Sequence, residues 1–446
     1  MSPLKKLAVR GMVWTIAGYG ASQILRLGSN LILTRLLFPE LFGLMTLVNI
    51  FITGLHLFSD IGVGPSIIQN KRGDDPVFLN TAWTLQVIRS FGIWLCCILL
   101  AWPVANFYDM PQLLWLIPLV GLNTIINGFN STALYTLNRH MAIAQLAIFE
   151  LGGQIISLAV MLVWAWFSPS IWALVVGGLT SAVVQMIWTH QLIPGTSNRF
   201  TWNQKAAKEI FSFGKWIFLS TAITFFAEQA DRLILGKLLS LEMLGVYGIA
   251  LTFAELPRSV TLALSGKVIF PAVSKLAELP RETIRAKLLQ NRKPILLALA
   301  FCLTILVSFG DLLIKALYDD RYIDAAWMLP FLALGIWPRM LCNTNEPSLF
   351  AIGKPQYTTG GNFTRFLCTS VGVLLGFSLM GVPGAIIAVT LNDLSYYVVV
   401  NYGLWREGLD GLMQDAKATM LLVMLITSAL ISRLILGLGC PISGLP

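Results

Sequence analysis

Ionisable and amide side chains recur at three- and four-residue spacing inside stretches that are otherwise apolar. Near the start of the chain, Tyr19, Ser22, Gln23, Arg26, Ser29 and Asn30 share one helical face. Displaced by 202 positions, Thr221, Thr224, Glu228, Asp231 and Arg232 form a second stripe. Further sets are Asn49, Thr53, His56 and Asp60; Asn123, Asn127 and Asn130; Glu150, Gln154 and Ser157; Arg339, Asn343 and Glu346; and Asn362, Arg365 and Thr369. Glu255 and Arg258 stand one turn apart around Pro257. An ionisable group at a bilayer centre costs about 2.5–3.5 kcal/mol on insertion scales, so it tends to face a partner or a wet cavity. Amides and hydroxyls suit sugar hydroxyls, and guanidinium forks suit phosphate.

The cavity-lining set expected on these grounds is Arg26, Asn30, Arg89, Asn127, Glu150, Glu228, Asp231, Arg232, Glu255, Arg258, Arg339 and Arg365, with His56 and Asp60 as a possible relay for a coupling ion. Each has a structural alternative. Glu228 and Arg232, at i and i+4, could neutralise each other. Arg258 could neutralise Glu255, and Arg89 could pair with a neighbouring helix. The asparagine stripes could be interhelical hydrogen bonds, and His56 a buried structural histidine.

No catalytic set accompanies these residues. The chain has three histidines and no HExxH, GxxxxGK[ST] or GxGxxG pattern. No enzyme activity, cofactor or metal is expected. The six cysteines form no CxxC pair and read as small core residues.

The elements that must hold these stripes follow from composition. Of 446 residues, 56% are hydrophobic and only 12% charged, against about a quarter charged in soluble domains. Mean hydropathy is +0.74. Thirteen apolar stretches are long enough to span a bilayer. They lie near 11–34, 41–63, 78–102, 112–137, 141–167, 170–190, 210–236, 242–266, 294–317, 325–350, 356–380, 383–405 and 416–438. With a cytoplasmic N-terminus, nineteen lysines and arginines fall inside and four outside, the bias expected of an inner-membrane protein. The net charge of +9 reflects that bias, and no nucleic-acid partner is expected.

A repeat organises the stretches. Residues 32–46 read ILTRLLFPELFGLMT and residues 234–248 read ILGKLLSLEMLGVYG. Six stretches separate the copies, so both halves enter the membrane in the same direction, a parallel repeat. The expected fold is an all-α polytopic membrane protein. Two tandem six-helix lobes, residues 1–200 and 205–405, surround a central cavity, and residues 406–446 add a thirteenth helix. Glu40 and Glu242 are expected to start the second helix of each lobe.

Three strings carry a family resemblance. They are Arg10-Gly11-x-x-Trp14, then Leu33-Thr34-Arg35-Leu36-Leu37-x-Pro39-Glu40-x-Phe42-Gly43-Leu44, then Phe58-x-Asp60-x-Gly62. Asp231-Arg232-Leu233-Ile234-Leu235-Gly236 and Ala351-x-Gly353-Lys354-Pro355 extend it. The chain resembles the polysaccharide transporter family of the multidrug/oligosaccharidyl-lipid/polysaccharide superfamily. That resemblance implies two six-helix lobes around a cavity and a flippase of prenyl-diphosphate-linked oligosaccharide, working beside polysaccharide polymerase and export machinery. A small-molecule antiporter of the multidrug branch is the alternative, with Asp60 or Glu150 as its acid.

Overall fold

A computed structural model describes residues 3–59, 62–70, 72–140, 142–193, 198–276 and 278–441. The side chains of residues 3–16, 69, 211–220 and 267 fall outside the description, as does the whole of Asp60. The described residues form helices and connecting turns and contain no strand. The chain divides into two compact units, Met1–Ala222 and Ile223–Pro446.

The first unit contains α1 (Pro3–Leu36), α2 (Pro39–Phe58), α3 (Val63–Gln69), α4 (Pro76–Tyr108), α5 (Leu113–Gly128), α6 (Ala133–Arg139), α7 (Ile143–Phe167) and α8 (Ile171–Thr189), and the beginning of α9 (Gln204–Leu238). Local chemistry starts several of them. Pro39 opens α2 with Glu40 in the first turn, where a fixed φ and a negative charge both favour initiation. Asp75 caps α4 by accepting from the Val77 N–H at 3.0 Å.

The stretch expected as one helix over 112–137 is broken. α5 ends at Gly128, α6 begins at Ala133, and the two are bent by 60°. At Gly128 a Cβ would stand 2.1 Å from Ser90 Oγ, so glycine is what lets α5 close on α4 there. The freed carbonyls are taken up by side chains. Gln86 Nε2 donates to the carbonyls of Gly128, Asn130 and Asn127 at 3.0, 3.1 and 3.4 Å. His190 Nε2 lies 2.9 Å from the carbonyl of Phe129. Broken backbone is tolerated at membrane depth only with such partners. Asn123, Asn127 and Asn130 therefore do not share one straight helix.

The connection after α8 is fastened to the first unit. Ser131 Oγ donates to Asn198 Oδ1 at 2.7 Å, the Arg199 N–H to Asn80 Oδ1 at 3.0 Å, and the Thr201 N–H to Thr84 Oγ1 at 3.0 Å. Ala206, Ala207 and Ile210 then pack into a core with Val63, Ile67 and Phe78.

The second unit holds the rest of α9, then α10 (Leu241–Leu264), a π-helical turn (Ser265–Ile269), α11 (Phe270–Ser274), α12 (Arg281–Leu317), α13 (Ala325–Gly335), α14 (Trp337–Asn343), α15 (Pro347–Ala351), α16 (Gln356–Arg406) and α17 (Leu412–Ile435). Ser240 caps α10 by accepting from the Met243 N–H at 3.1 Å, and Glu242 sits in the first turn. The burial pattern repeats with the sequence. Leu33, Leu37, Leu44 and Leu47 are buried, and so are Leu235, Leu239, Val246 and Ile249 at the same offset.

One expectation is refined here. The stretch expected as one helix over 325–350 is three short helices, with Pro338 and Pro347 each at the start of a new one. The charged run 281–293 forms the first part of α12. α16 keeps the two expected arms. Gly381, at φ 64 and ψ −140, interrupts it, and a Cβ on Gly376 or Gly384 would meet the other's carbonyl oxygen at 2.3 or 2.0 Å. The arms pack antiparallel at glycine–glycine distance, the close approach typical of membrane helices.

Two buried ion pairs tie α17 to α12. Arg292 bonds Asp415, and Arg433 bonds Asp311 at 2.5 Å. All four side chains are at most 2% exposed. At about 1.5 Å per residue the anchor points stand about 28 Å apart on each helix, so the helices run parallel. Among the described residues eight helices are long and apolar enough to cross a membrane, nine if the bent pair α5–α6 counts as one. Trp166, Phe167, Leu379 and Ile435 are among the strongly exposed apolar residues. This is a multi-pass membrane protein.

Candidate functional site

The densest polar cluster lies inside the second unit, where α9, α10, α14 and α16 contribute one charged side chain or more each. Glu228 of α9 is the centre. Its Oε1 accepts from Arg258 Nη2 at 2.6 Å and from Arg339 Nη2 at 3.4 Å, and Arg365 Nη1 stands 3.2 Å away. Arg258 also binds Glu255 at 2.8 Å, and Arg365 Nε lies 2.7 Å from Asp393. Arg339 lies over the Tyr396 ring, 3.6 Å from its centroid, a cation–π contact. The Tyr396 hydroxyl donates to Glu346 at 2.5 Å. Asn362 bridges Thr224 and Arg339 at 3.1 and 3.4 Å.

The three arginines are 8–9% exposed. Yet Arg258 Nε, Arg339 Nε, and Arg365 Nε and Nη1 are buried without a hydrogen-bond acceptor. The contacts of Arg365 meet ion-pair distance but not hydrogen-bond geometry. The cluster thus holds guanidinium donors whose charge is matched and whose hydrogen-bonding capacity is not, a costly arrangement in an apolar interior.

A second polar site lies wholly within the first unit, a cavity of about 200 Å³ at the break between α5 and α6. His56, Gln86, Arg89, Asn127 and Asn130 are in its wall. Arg89 Nη2 donates to the His56 carbonyl at 2.7 Å and Nε to Ser59 Oγ at 3.1 Å. It thereby closes the C-terminal end of α2, where a cation is favoured.

The structure therefore gathers Glu228, Glu255, Arg258, Arg339 and Arg365 into one cluster, and His56, Arg89 and Asn127 into one cavity. Glu228 does not pair with Arg232, which instead donates to Gln229 at 2.9 Å. Asp231 is buried and accepts from the Tyr247 hydroxyl. Arg26 and Glu150 are exposed, and Asn30 is half-buried with an unsatisfied Oδ1. Asp60 lies outside the described residues.

Sequence reasoning missed Asp393, Tyr396 and Gln86. Asp393 carried a usable signal, a carboxylate inside an apolar stretch. The α12–α17 pairs carried the same one, since Asp311 and Arg433 sit within apolar runs.

The fold has solved counterparts. The lipid II flippase MurJ, in an inward closed conformation, superposes with a TM-score of 0.68, covering 95% of this chain and 98% of that one at 12% identity. An inward-facing multidrug resistance MATE family transporter of the MOP superfamily gives 0.66, covering 86% and 94% at 14% identity. These matches show a shared fold, and fold and composition define a multi-pass helical membrane protein. A family model described as "Polysaccharide biosynthesis protein" matches residues 32–327, and the chain belongs to that family. The teichuronic acid biosynthesis protein TuaB of Bacillus subtilis (strain 168) is 23% identical over 304 residues. That match spans 66% of this chain and 61% of TuaB, less than two thirds of the relative's length.

Proposed function

We propose that this protein moves a prenyl-diphosphate-linked oligosaccharide from the inner to the outer leaflet of the inner membrane by alternating access. The carrying observation is the convergence of Arg258, Arg339 and Arg365 on one carboxylate oxygen, with Arg258 Nε and Arg339 Nε buried and without an acceptor and Arg365 Nε and Nη1 at ion-pair distance but outside hydrogen-bond geometry. A diphosphate offers several acceptor oxygens and needs matched positive charge in an apolar slab. Glu228 occupies the position of such an anion. The family and the flippase-type fold agree with this reading. An ion-coupled antiporter of cationic molecules fits the cluster less well, since Glu228, Glu255 and Asp393 all face arginine.

In this reading residues 1–200 and 205–405 are six-helix lobes around the substrate path, with Arg26, Asn30, Glu150, Asp231 and Arg232 facing it and His56 and Asp60 available to a coupling ion. The N-terminus is cytoplasmic. Residues 406–446 add a thirteenth span. Its parallel attachment to α12 over about 28 Å supports a full crossing of a core about 30 Å thick. Polymerase and export machinery would take the product.

The test is transport of a labelled prenyl-diphosphate oligosaccharide in reconstituted vesicles. Arg339→Lys and Arg365→Lys keep the charge and lose the fork. Each should slow transport at least tenfold with abundance near wild type. Transport at the wild-type rate in both would overturn the reading.

A further inference from the structure

We propose that residues 199–208, where the connection after α8 enters α9, form an anionic-phospholipid site at the membrane interface. Phe200 and Trp202 enter the headgroup boundary, and Arg199, Lys205 and Lys208 hold the lipid phosphate. Every residue of the site belongs to the first unit, and the site stands on membrane residence alone, whatever the cargo.

Hydrogen bonds set which way the segment faces. The Arg199 N–H donates to Asn80 Oδ1, the Thr201 N–H to Thr84 Oγ1, and Asn203 Oδ1 accepts from the Ala206 N–H, each at 3.0 Å. Phe200 and Trp202, on either side of Thr201, are left 66% and 59% exposed. Phe200 is nonetheless held, with its ring centroid 4.8 Å from that of Trp83. In the first turns of α9, Ala206, Ala207 and Ile210 are buried while Lys205 and Lys208 are exposed. Glu209 is the acid of this stretch, and it is already engaged. It accepts from Asn70 Nδ2 at 2.8 Å and pairs with Arg72 at 3.6 Å. Among the described residues Arg199, Lys205 and Lys208 pair with no carboxylate.

α4 fixes the depth. Its 33 residues make it about 50 Å long, about 20 Å more than the hydrocarbon core. Shared between the two ends, that excess sets each boundary about 10 Å inside the helix. Asn80 and Thr84, which hold the segment, lie about 6 and 12 Å from Pro76. At the other end Trp102, 66% exposed, lies about 9 Å from Tyr108. Thr84 and Trp102 are about 27 Å apart along the axis, close to the thickness of the core. Between them Ile88, Phe91, Leu95 and Leu99 form an exposed apolar stripe. Phe200 and Trp202 therefore stand at one boundary and Trp102 at the other, where aromatic rings are favoured. Only the first boundary carries the unpaired cations of residues 199–208. A neutral lipid offers the rings the same boundary, so the cations select the headgroup by its negative charge.

The test is photo-crosslinking of the full-length protein with p-benzoylphenylalanine in place of Trp202. The vesicles hold equal parts phosphatidylglycerol and phosphatidylcholine, and adducts are read by mass spectrometry. Lipid adducts should form, with phosphatidylglycerol enriched at least about fivefold, the contribution of one basic residue near an anionic surface. Arg199→Gln, Lys205→Gln and Lys208→Gln together should return the ratio to that of the bilayer. Total lipid adduct should persist in that variant, because the rings keep the segment at the interface. The same probe in place of Trp102 should give lipid adducts without preference, since the chain has no Lys or Arg between Arg89 and Arg139. Absence of lipid adducts at position 202 would overturn the site, as would a protein adduct in their place when native membranes are irradiated. A phosphatidylglycerol ratio at 202 that matches the bilayer, survives the triple substitution or equals the ratio at 102 would overturn it too.

Discussion

In the first unit, the polar groups at the α5–α6 break are chiefly neutral amides and hydroxyls, with Arg89 the charged member and its donors directed at backbone and hydroxyl oxygens of α2. In the second unit, the groups around α14 are chiefly charged, with three arginines set against Glu228, Glu255 and Asp393. Both clusters sit where a membrane helix is broken. At the first break the freed carbonyls recruit neutral donors such as Gln86. At the second, Arg339 of α14 is matched by a carboxylate from α9, far away in sequence. Both breaks draw partners from other helices, Gln86 from α4 at the first and Glu228 from α9 at the second. The first is satisfied by neutral groups and leaves amide oxygens over, and the second is satisfied by charge and leaves guanidinium nitrogens over.

The comparison can be broken most directly at Glu228. Glu228→Gln leaves three buried guanidinium groups short of one negative charge. Removing one partner of a buried ion pair costs about 3–5 kcal/mol, so melting temperature and folded yield should fall sharply. Inorganic pyrophosphate should raise the melting temperature of this variant more than that of the wild type. A variant as stable as wild type would mean that Glu228 does not organise the cluster.

A smaller loss is expected in the first unit. Gln86→Leu removes a donor shared by three carbonyls, and an unsatisfied buried group costs about 1–3 kcal/mol. The melting temperature should fall by less than in Glu228→Gln, and pyrophosphate should not restore it. An equal or larger fall would erase the distinction between the units.

The smallest effect belongs to the surface of the first unit, at the start of α4. The Arg72 guanidinium bonds Asp75 at 2.8 Å, and with the Val77 N–H it holds the Asp75 carboxyl below its ordinary value. A depressed acid contributes stability above the unfolded pKa, near pH 4, and loses it as pH falls toward the folded value. Asp75→Asn should lower the melting temperature slightly at pH 7, and the gap from wild type should close below about pH 4. A constant gap would place the effect in the helix cap and not in the charge. The exposed setting keeps this effect well below the other two.

How far the sequence could be read differs by feature. The thirteen apolar stretches all carry helix, because hydrophobic length and backbone self-satisfaction in lipid are properties of each segment alone. The helix starts marked by Glu40 and Glu242 were legible for the same reason. They depend on groups a few residues apart. The breaks at Gly128 and around Pro338 and Pro347 were not legible, since a glycine or proline in an apolar run breaks a helix only where a neighbour supplies the missing hydrogen bonds.

The amino-acid sequence by itself determined that this chain lives in a membrane, where its helices fall, that its halves share a repeated helix pair, and which residues are too polar to face lipid. Only the tertiary structure decided how those residues pair. Arg232, four residues from Glu228, turned to Gln229, while Arg258, Arg339 and Arg365 arrived from three other helices. The physical reason is that hydrophobicity adds up along one segment, whereas matching a buried charge needs a partner within about 4 Å, and that distance is set by how helices pack.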